Sequence, residues 1–187
     1  MANLSYPEPN LVDDSVLLRP WEKSDLRCVE EASWDPRIPS GTTVPPVFSA
    51  DEGRAFIERQ WSRLTNGEGL ALAIADPTSG EAVGQIVLLF RQWPGIAGIG
   101  FWLIERARGS GMARRAARLL SHWALQRGSL ARIEGLVEPN NVASQRTLEA
   151  AGFKREGLLR SYLSFGGVRQ DAVMYSLVAG DLGTDVR

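Results

Sequence analysis

The chain's densest chemical signal is Arg-Ala-Arg-Gly-Ser-Gly-Met-Ala, residues 106 to 113. An apolar, strand-like run from Ile96 to Ile104 leads into it, and an amphipathic, helix-like run to about Arg127 follows. Strand, glycine turn and helix start together make an anion site, because the first helical N–H groups lack intrahelical acceptors and point outward. The helix dipole adds about half a positive charge at the same place. Gly109 and Gly111 let the backbone approach a bulky ligand and accept positive φ. Ser110, Met112 and Ala113 complete the turn, and Arg108 and Arg106 add cationic reach. The chemistry this predicts is the holding of a phosphate or pyrophosphate.

Two common phosphate binders do not fit. A P-loop needs Lys and then Ser or Thr after its last glycine, to reach the γ-phosphate and Mg²⁺; Met112 and Ala113 stand there instead. A dinucleotide fingerprint needs a third glycine where this chain has Arg114, although Glu134 falls at a tolerable distance for the ribose carboxylate. The alternative is a glycine turn that only joins strand to helix.

A second constellation lies downstream. Glu138-Pro-Asn-Asn-Val-Ala-Ser144 precedes Leu148-Glu-Ala-Ala-Gly-Phe153. Arg-x-x-Gly-x-Ala (Arg108, Gly111, Ala113) followed by Asn-x-x-Ser-x-x-x-Leu-Glu-x-x-Gly-Phe resembles the GNAT superfamily of acyl-CoA-dependent N-acyltransferases. Leu17-Leu-Arg-Pro near the start and Gln170-Asp-Ala-Val-Met-Tyr-Ser-Leu177 near the end resemble its ribosomal-protein N-acetyltransferase (Rim-type) branch. The resemblance covers about residues 15 to 178.

The resemblance implies an acetyl-CoA-dependent N-acetyltransferase acting on a primary amine, a protein N-terminus or a small molecule, with acyl-CoA as co-substrate and no metal. It implies a sheet split between the strands at 96–104 and 132–137, with Phe101, Trp102 and Leu103 beside the pantetheine arm. The pyrophosphate would sit on the N–H groups of Gly109 to Ala113, with Asn141 and Ser144 also near the cofactor. Acyl transfer needs a neutral amine, a stabilised oxyanion and a protonated leaving thiolate; holding the reactants together supplies several of the roughly 7–11 kcal/mol available from positioning. A backbone N–H near Trp102 or Leu103 is the expected oxyanion donor. Glu134 and Glu138 are the candidate bases, against the plain alternative of strand-end carboxylates. Ser144 or Tyr162 is the candidate acid. The family's usual strand glutamate is missing, since Gly98 and Gly100 flank Ile99. That departure keeps a second reading open, a non-catalytic acyl-CoA-binding sensor or interaction domain. The acceptor pocket is expected from the proline-bearing loop, through Trp34 and Phe48, and from Asp171 near the end of the chain. Asp171 also reads as a residue tying down a loop.

These residues need a scaffold, and the hydrophobic pattern supplies one. Strands are expected at Val16–Arg19, Leu70–Ala75, Ala82–Phe90, Ile96–Ile104, Arg132–Val137, Phe153–Phe165 and Arg169–Leu177. Helices are expected from Trp21 to Ser33, from the Ser49-Ala-Asp-Glu52 capping box to about Asn66, from Gly111 to Arg127, and from Val142 to Ala151. In the third of these, Met112, Ala116, Leu119, Leu120 and Trp123 form the apolar stripe, while Arg114, Arg115, Arg118 and Arg127 read as a solvated face. Trp34 to Phe48, with Pro36, Pro39, Pro45 and Pro46, reads as an ordered loop. The fold class expected is α+β, an α/β sandwich with a central mixed, mostly antiparallel sheet of about seven strands flanked by about four helices. Residues 1–14 read as a flexible arm, 15–178 as one domain and 179–187 as a tail.

Composition sets the outer bounds. At 187 residues, 44% hydrophobic and 23% charged, the chain suits one globular domain. A net charge of −1 gives nucleic-acid binding no bulk electrostatic support. Of 21 basic residues only Lys23 and Lys154 are lysines, and arginine suits bidentate phosphate contacts. One cysteine, Cys28, and one histidine, His122, leave no cysteine cluster and no ordinary histidine metal site; both read as structural. No signal peptide or spanning segment is read ahead of Tyr6-Pro-Glu-Pro, so the expectation is a cytoplasmic protein without membrane partners, and a homodimer by the general tendency of soluble chains.

Overall fold

The computed structural model describes residues 4–127, 130–165 and 167–182. Eight strands form one sheet: β1 (Leu11–Val12), β2 (Leu17–Arg19), β3 (Gly69–Ala75), β4 (Ala82–Phe90), β5 (Ile96–Leu103), β6 (Arg132–Val137), β7 (Lys154–Phe165) and β8 (Val168–Val178). Their order is β1-β2-β3-β4-β5-β6-β8-β7. The β5–β6 pair is parallel and the other pairs are antiparallel. Five α-helices accompany them: α1 (Leu26–Ser33), α2 (Arg37–Gly41), α3 (Ala50–Thr65), α4 (Met112–Gln126) and α5 (Val142–Ala150). This is the α+β sandwich read from the sequence, with one strand and one short helix more than expected.

Both additions have local reasons. The extra strand, β1, pairs with Leu17 and Leu18, and Leu4 ahead of it is buried, so residues 4–14 pack against the domain rather than forming a loose arm. The extra helix, α2, carries Pro39 in its first turn, where a missing N–H leaves no hydrogen bond unmade. The expected helix at 21–33 begins with a 3-10 turn at Lys23–Asp25 and becomes α-helical at Leu26. Its start is set by Asp25, whose carboxylate accepts from Glu22 N at 2.8 Å.

The sheet is covered on both faces. In β3 every residue is buried, which explains a near-continuous apolar run in place of alternation. Trp102 of β5 packs with Phe56 of α3 and with Trp21, ring centroids 6.4 and 6.1 Å apart, so α3 lies over that face. Ile99 and Gly135 are register partners, and a Cβ on Gly135 would meet Leu148 of α5 at 2.5 Å, so α5 lies over the opposite face. On α4 the buried face is Met112, Ala116, Ala117, Leu120, Ser121, Ala124 and Leu125, with Leu119 and Trp123 at its margin. Arg114, Arg118 and Arg127 are exposed, as the solvated-face reading expects, while Arg115 pairs with Asp13. Arg19 and Asp25, both buried, form a bidentate ion pair at 2.8 and 2.7 Å that fixes the first helix to β2.

Candidate functional site

The parallel pair of β5 and β6 runs only from Ile96–Arg132 to Ile99–Gly135. Both strands then continue, β5 to Leu103 and β6 to Val137, without pairing to each other. The result is a wedge-shaped gap opening toward the strand ends. Antiparallel pairing alternates between residues that exchange hydrogen bonds and residues that do not. Ile104 N donates to Val83 O and Arg91 N to Ile96 O, so the even-numbered residues of β5 bond to β4. The N–H and C=O of Phe101 and Leu103 therefore face the gap, whereas those of Trp102 face Gln85. Trp102 gives the gap neither backbone nor side chain, since its indole is buried with Trp21 and Phe56. Of the two expected oxyanion donors, only Leu103 faces the right way.

Beyond Leu103 a 3-10 turn, Glu105–Ala107, leads to Gly109 and Gly111, both left-handed at φ +78 and +83. A Cβ at Gly109 would meet nothing within 4 Å, and one at Gly111 only the Arg114 guanidinium at 3.8 Å. The space over the first N–H groups of α4 is thus open, and the residues present fit a pyrophosphate. Ser110 Oγ donates to Ala107 O at 2.7 Å and braces the turn. Met112 is buried and Ala113 half-buried, so their contribution to the turn is backbone. The side chains of Arg106 and Arg108 are engaged elsewhere: Arg106 with Glu31 and Glu81, Arg108 with Asp35 and the carbonyl of Leu103.

The remaining candidates fall in several places. Asn141 Oδ1 accepts from Ser144 N at 3.1 Å, which makes Asn141 the N-cap of α5 and occupies its acceptor. Glu138, at the end of β6 and beside the mouth of the wedge, uses its carbonyl for Asn141 N and Gln145 Nε2. Among the described residues its carboxylate forms no ion pair. Glu134 is in register with Gly98 near the apex, and its carboxylate is held by Arg132 Nε at 2.8 Å. Arg132 also binds Glu156, and that pairing, with the Ser176 hydroxyl at 2.6 Å, holds the Glu156 carboxyl down at about 2. The guanidinium of Arg91 lies over Gly98, where any Cβ would come within 2.4 Å of it. A side chain at that position would displace Arg91.

The β7–β8 hairpin runs past the last β6–β8 partners, Val137–Val173, at the end of the sheet where the wedge opens. A bulge interrupts it between Leu159 and Leu163. Tyr162 sits in the bulge, 52% exposed, and Ser161 takes φ 53. Asp171 Oδ1 accepts from Ser161 N, so this Asp ties down a loop. Trp34, 70% exposed, follows α1. Phe48, at the far end of the proline-bearing loop, packs on Gly53 of α3 and lines an open depression of about 670 Å³ with Pro39, Val44 and Arg59. Trp34, Phe48 and Asp171 are not brought into contact with one another by any hydrogen bond or ion pair among the described residues. Sequence reasoning missed Asp35, which both arginine-bearing loops share; its spacing gives no signal, because its partner Arg108 lies 73 residues away.

Residues 15–154 match the acetyltransferase (GNAT) domain family model. The chain belongs to the GNAT acetyltransferase family. GNAT relatives agree along its length. The uncharacterized N-acetyltransferase YoaA of Bacillus subtilis is 33% identical over 91% of this chain and 97% of its own. The uncharacterized N-acetyltransferase p20 of Bacillus licheniformis is 28% identical over 90% and 95%. Among solved structures, Mycobacterium smegmatis RimJ in complex with CoA-disulfide superposes with a TM-score of 0.77 at 24% identity, over 90% of this chain and 84% of that one. The microcin C7 self-immunity acetyltransferase MccE, in complex with acetyl-CoA and AMP, gives 0.77 at 23% identity over 89% and 93%. These two likenesses show the shared fold. As a GNAT member the protein is an N-acetyltransferase. Among the described residues no His, Cys, Asp and Glu group is arranged to hold a metal ion, and no helix is long and apolar enough to cross a membrane. Cys28 is buried, and burial pushes its thiol well above the ordinary range, as for a small structural hydrophobe.

Proposed function

We propose that the protein moves an acetyl group from acetyl-CoA to a primary amine, and that the amine is a protein N-terminus or a small molecule. The observation that carries this reading is the β5–β6 pair that stops at Ile99–Gly135 while both strands run on, with the open glycine turn at the same end. The thioester would supply the activated acetyl group. Phe101 would bind a pantetheine amide as an added strand does, through the backbone groups that β4 leaves free, while the Leu103 carbonyl is held by Arg108. The N–H groups of Gly109 to Ala113 would take the pyrophosphate on the positive end of α4. Leu103 N–H is the donor best turned to the carbonyl oxygen where negative charge develops. Glu138 is the better base, because Arg132 already neutralises Glu134. Tyr162, on the part of the hairpin that extends past the end of β6, is the proposed donor to the leaving thiolate, with Ser144 at the start of α5 as the other hydroxyl on that side. The likeness to RimJ-type structures favours a protein N-terminus, and the acceptor would enter between the loop at 34–48 and the β7–β8 hairpin.

Isothermal titration with acetyl-CoA, repeated on Gly111→Trp, tests this. Micromolar binding that disappears in the variant supports the turn as the pyrophosphate site, and thiol release across a panel of amines and peptides then names the acceptor. A wild-type protein that does not bind acetyl-CoA overturns the reading. Binding with no thiol release for any amine would favour the sensor reading that Gly98 and Gly100 keep open.

A further inference from the structure

Arg106 lies within the 3-10 turn between β5 and the glycine turn and Arg108 directly after it, and both side chains reach the region around the end of α1. Arg106 Nε meets Glu31 at 2.9 Å and its Nη2 meets Glu81 at 2.6 Å. Arg108 Nη2 meets Asp35 Oδ2 at 2.7 Å, while its Nε donates to Leu103 O at 3.0 Å. Glu31 is in the last turn of α1 and Asp35 lies two residues past its end, so the two arginines hold the end of α1 and the start of the loop that follows.

The Arg108 contact joins two functional regions. Leu103 is the last residue of β5, and its carbonyl faces the wedge. Asp35 begins the loop that ends at Phe48, and its side chain is only 14% exposed. Asp35 also accepts from the backbone N and the guanidinium of Arg37, which starts α2. One guanidinium therefore spans from the cofactor strand to the first residue of the acceptor-side loop. A lysine could not do this, because the two acceptors need two donors set in a planar fork.

We infer that Arg108 is a positioning residue that holds the loop at 35–48 in register with the end of β5, so that cofactor occupancy of the wedge is felt by that loop, and that it is not a phosphate ligand. The inference rests on the acetyl-CoA reading for what fills the wedge. The pyrophosphate is left to the backbone of the glycine turn, whose geometry needs no side chain.

Titration with CoA and amide hydrogen exchange over residues 35–48, with and without CoA, test this on wild type, Arg108→Lys, Arg108→Gln and Asp35→Asn. Thermal unfolding first establishes that each variant is folded, and Asp35→Asn carries the test if the arginine variants are not. The expected result is a CoA Kd within threefold of wild type in all variants. Exchange at 35–48 should be at least tenfold faster in each, and the protection that CoA adds there in wild type should be lost. Arg108→Lys should fail to rescue, since charge alone does not restore the fork. The inference is overturned if Arg108→Gln raises the CoA Kd tenfold or more while Arg108→Lys and Asp35→Asn do not, or if loop exchange is unchanged. Wild type that binds no CoA overturns the acetyl-CoA reading, and with it the cofactor coupling. The CoA-free exchange comparison would still decide whether Arg108 holds the loop.

Discussion

Asp171 and Ser161 lie ten residues apart on the two strands of the last hairpin, and the carboxylate of one accepts the backbone N–H of the other at 2.8 Å. Ser161 sits at φ 53, in the left-handed region that non-glycine residues avoid, so the bond holds a conformation the backbone resists. Arg169 reaches the carbonyls of Ser161 and Tyr162 from the same side. The bulge places Tyr162 on the part of the hairpin that extends past the end of β6.

Replacing this clamp tests its energy. Asp171→Ala should cost about 1 kcal/mol, the usual net worth of one hydrogen bond at an exposed site, while Asp171→Asn, which keeps an acceptor oxygen, should cost less than half of that. For a chain of this size about 1 kcal/mol corresponds to roughly 2–4 °C in Tm, within reach of calorimetry. Equal losses for the two variants would show that the carboxylate charge, and not the acceptor, holds the bulge.

The two candidate bases should separate kinetically. Glu138→Gln is expected to lower kcat/KM by about 10²-fold or more, the ordinary worth of a positioned proton acceptor. Glu134→Gln should change it less than about tenfold, because Arg132 already occupies that carboxylate. Steady-state thiol release on both variants decides, and the reverse order would move the base to the apex of the wedge.

The buried pair of Arg19 and Asp25 should be the most costly ionic contact to break. Asp25→Ala leaves a buried guanidinium without its carboxylate and frees Glu22 N as well, and is expected to cost about 3–5 kcal/mol. Denaturant unfolding measures it; a loss below about 1 kcal/mol would mean that water reaches Arg19 in the variant.

Acid should release the cluster around Glu156. Its carboxyl is lowered from the ordinary 4.5 to about 2, chiefly by hydrogen bonding to Arg132 and then to Ser176. A carboxylate lowered by folding stabilises the fold above its unfolded value and stops doing so as pH falls through its folded value. The contribution should therefore be intact above pH 4.5 and disappear between there and pH 2. Urea midpoints for wild type and Glu156→Gln should converge across that window. Curves that stay parallel down to pH 2 would refute the assignment.

Gly135 admits the closest approach of α5 to the sheet. A Cβ there would stand 2.5 Å from Leu148 Cδ1, so Gly135→Val should cost about 1–3 kcal/mol through overpacking. Because Gly135 is also the last β6 residue paired to β5, the same variant should weaken acetyl-CoA binding. Thermal unfolding and titration measure the two effects separately.

Much of this protein is written locally. Apolar runs and turn signals place seven of the eight strands, β3 as a continuous run because both of its faces are buried, and the 3.6-residue period of apolar residues places the main helices. Ser49 and Asn141 cap their helices as neighbours of the N–H groups they serve. Gly109 and Gly111 announce the turn because only glycine takes positive φ there without strain. Side-chain partners across the fold are another matter. Arg106 and Arg108 read as phosphate ligands while their sequence neighbours alone are considered. Glu31 and Asp35, 75 and 73 residues away, are what claim their guanidinium groups. Whether Glu134 or Glu138 keeps a free carboxylate turned on Arg132, and β1 became a strand only because Leu17 and Leu18 were there to pair with it. Conformation at a turn answers to the few residues that form it, whereas the pairing of a charge answers to whatever the completed sheet and helices carry within about 4 Å of it.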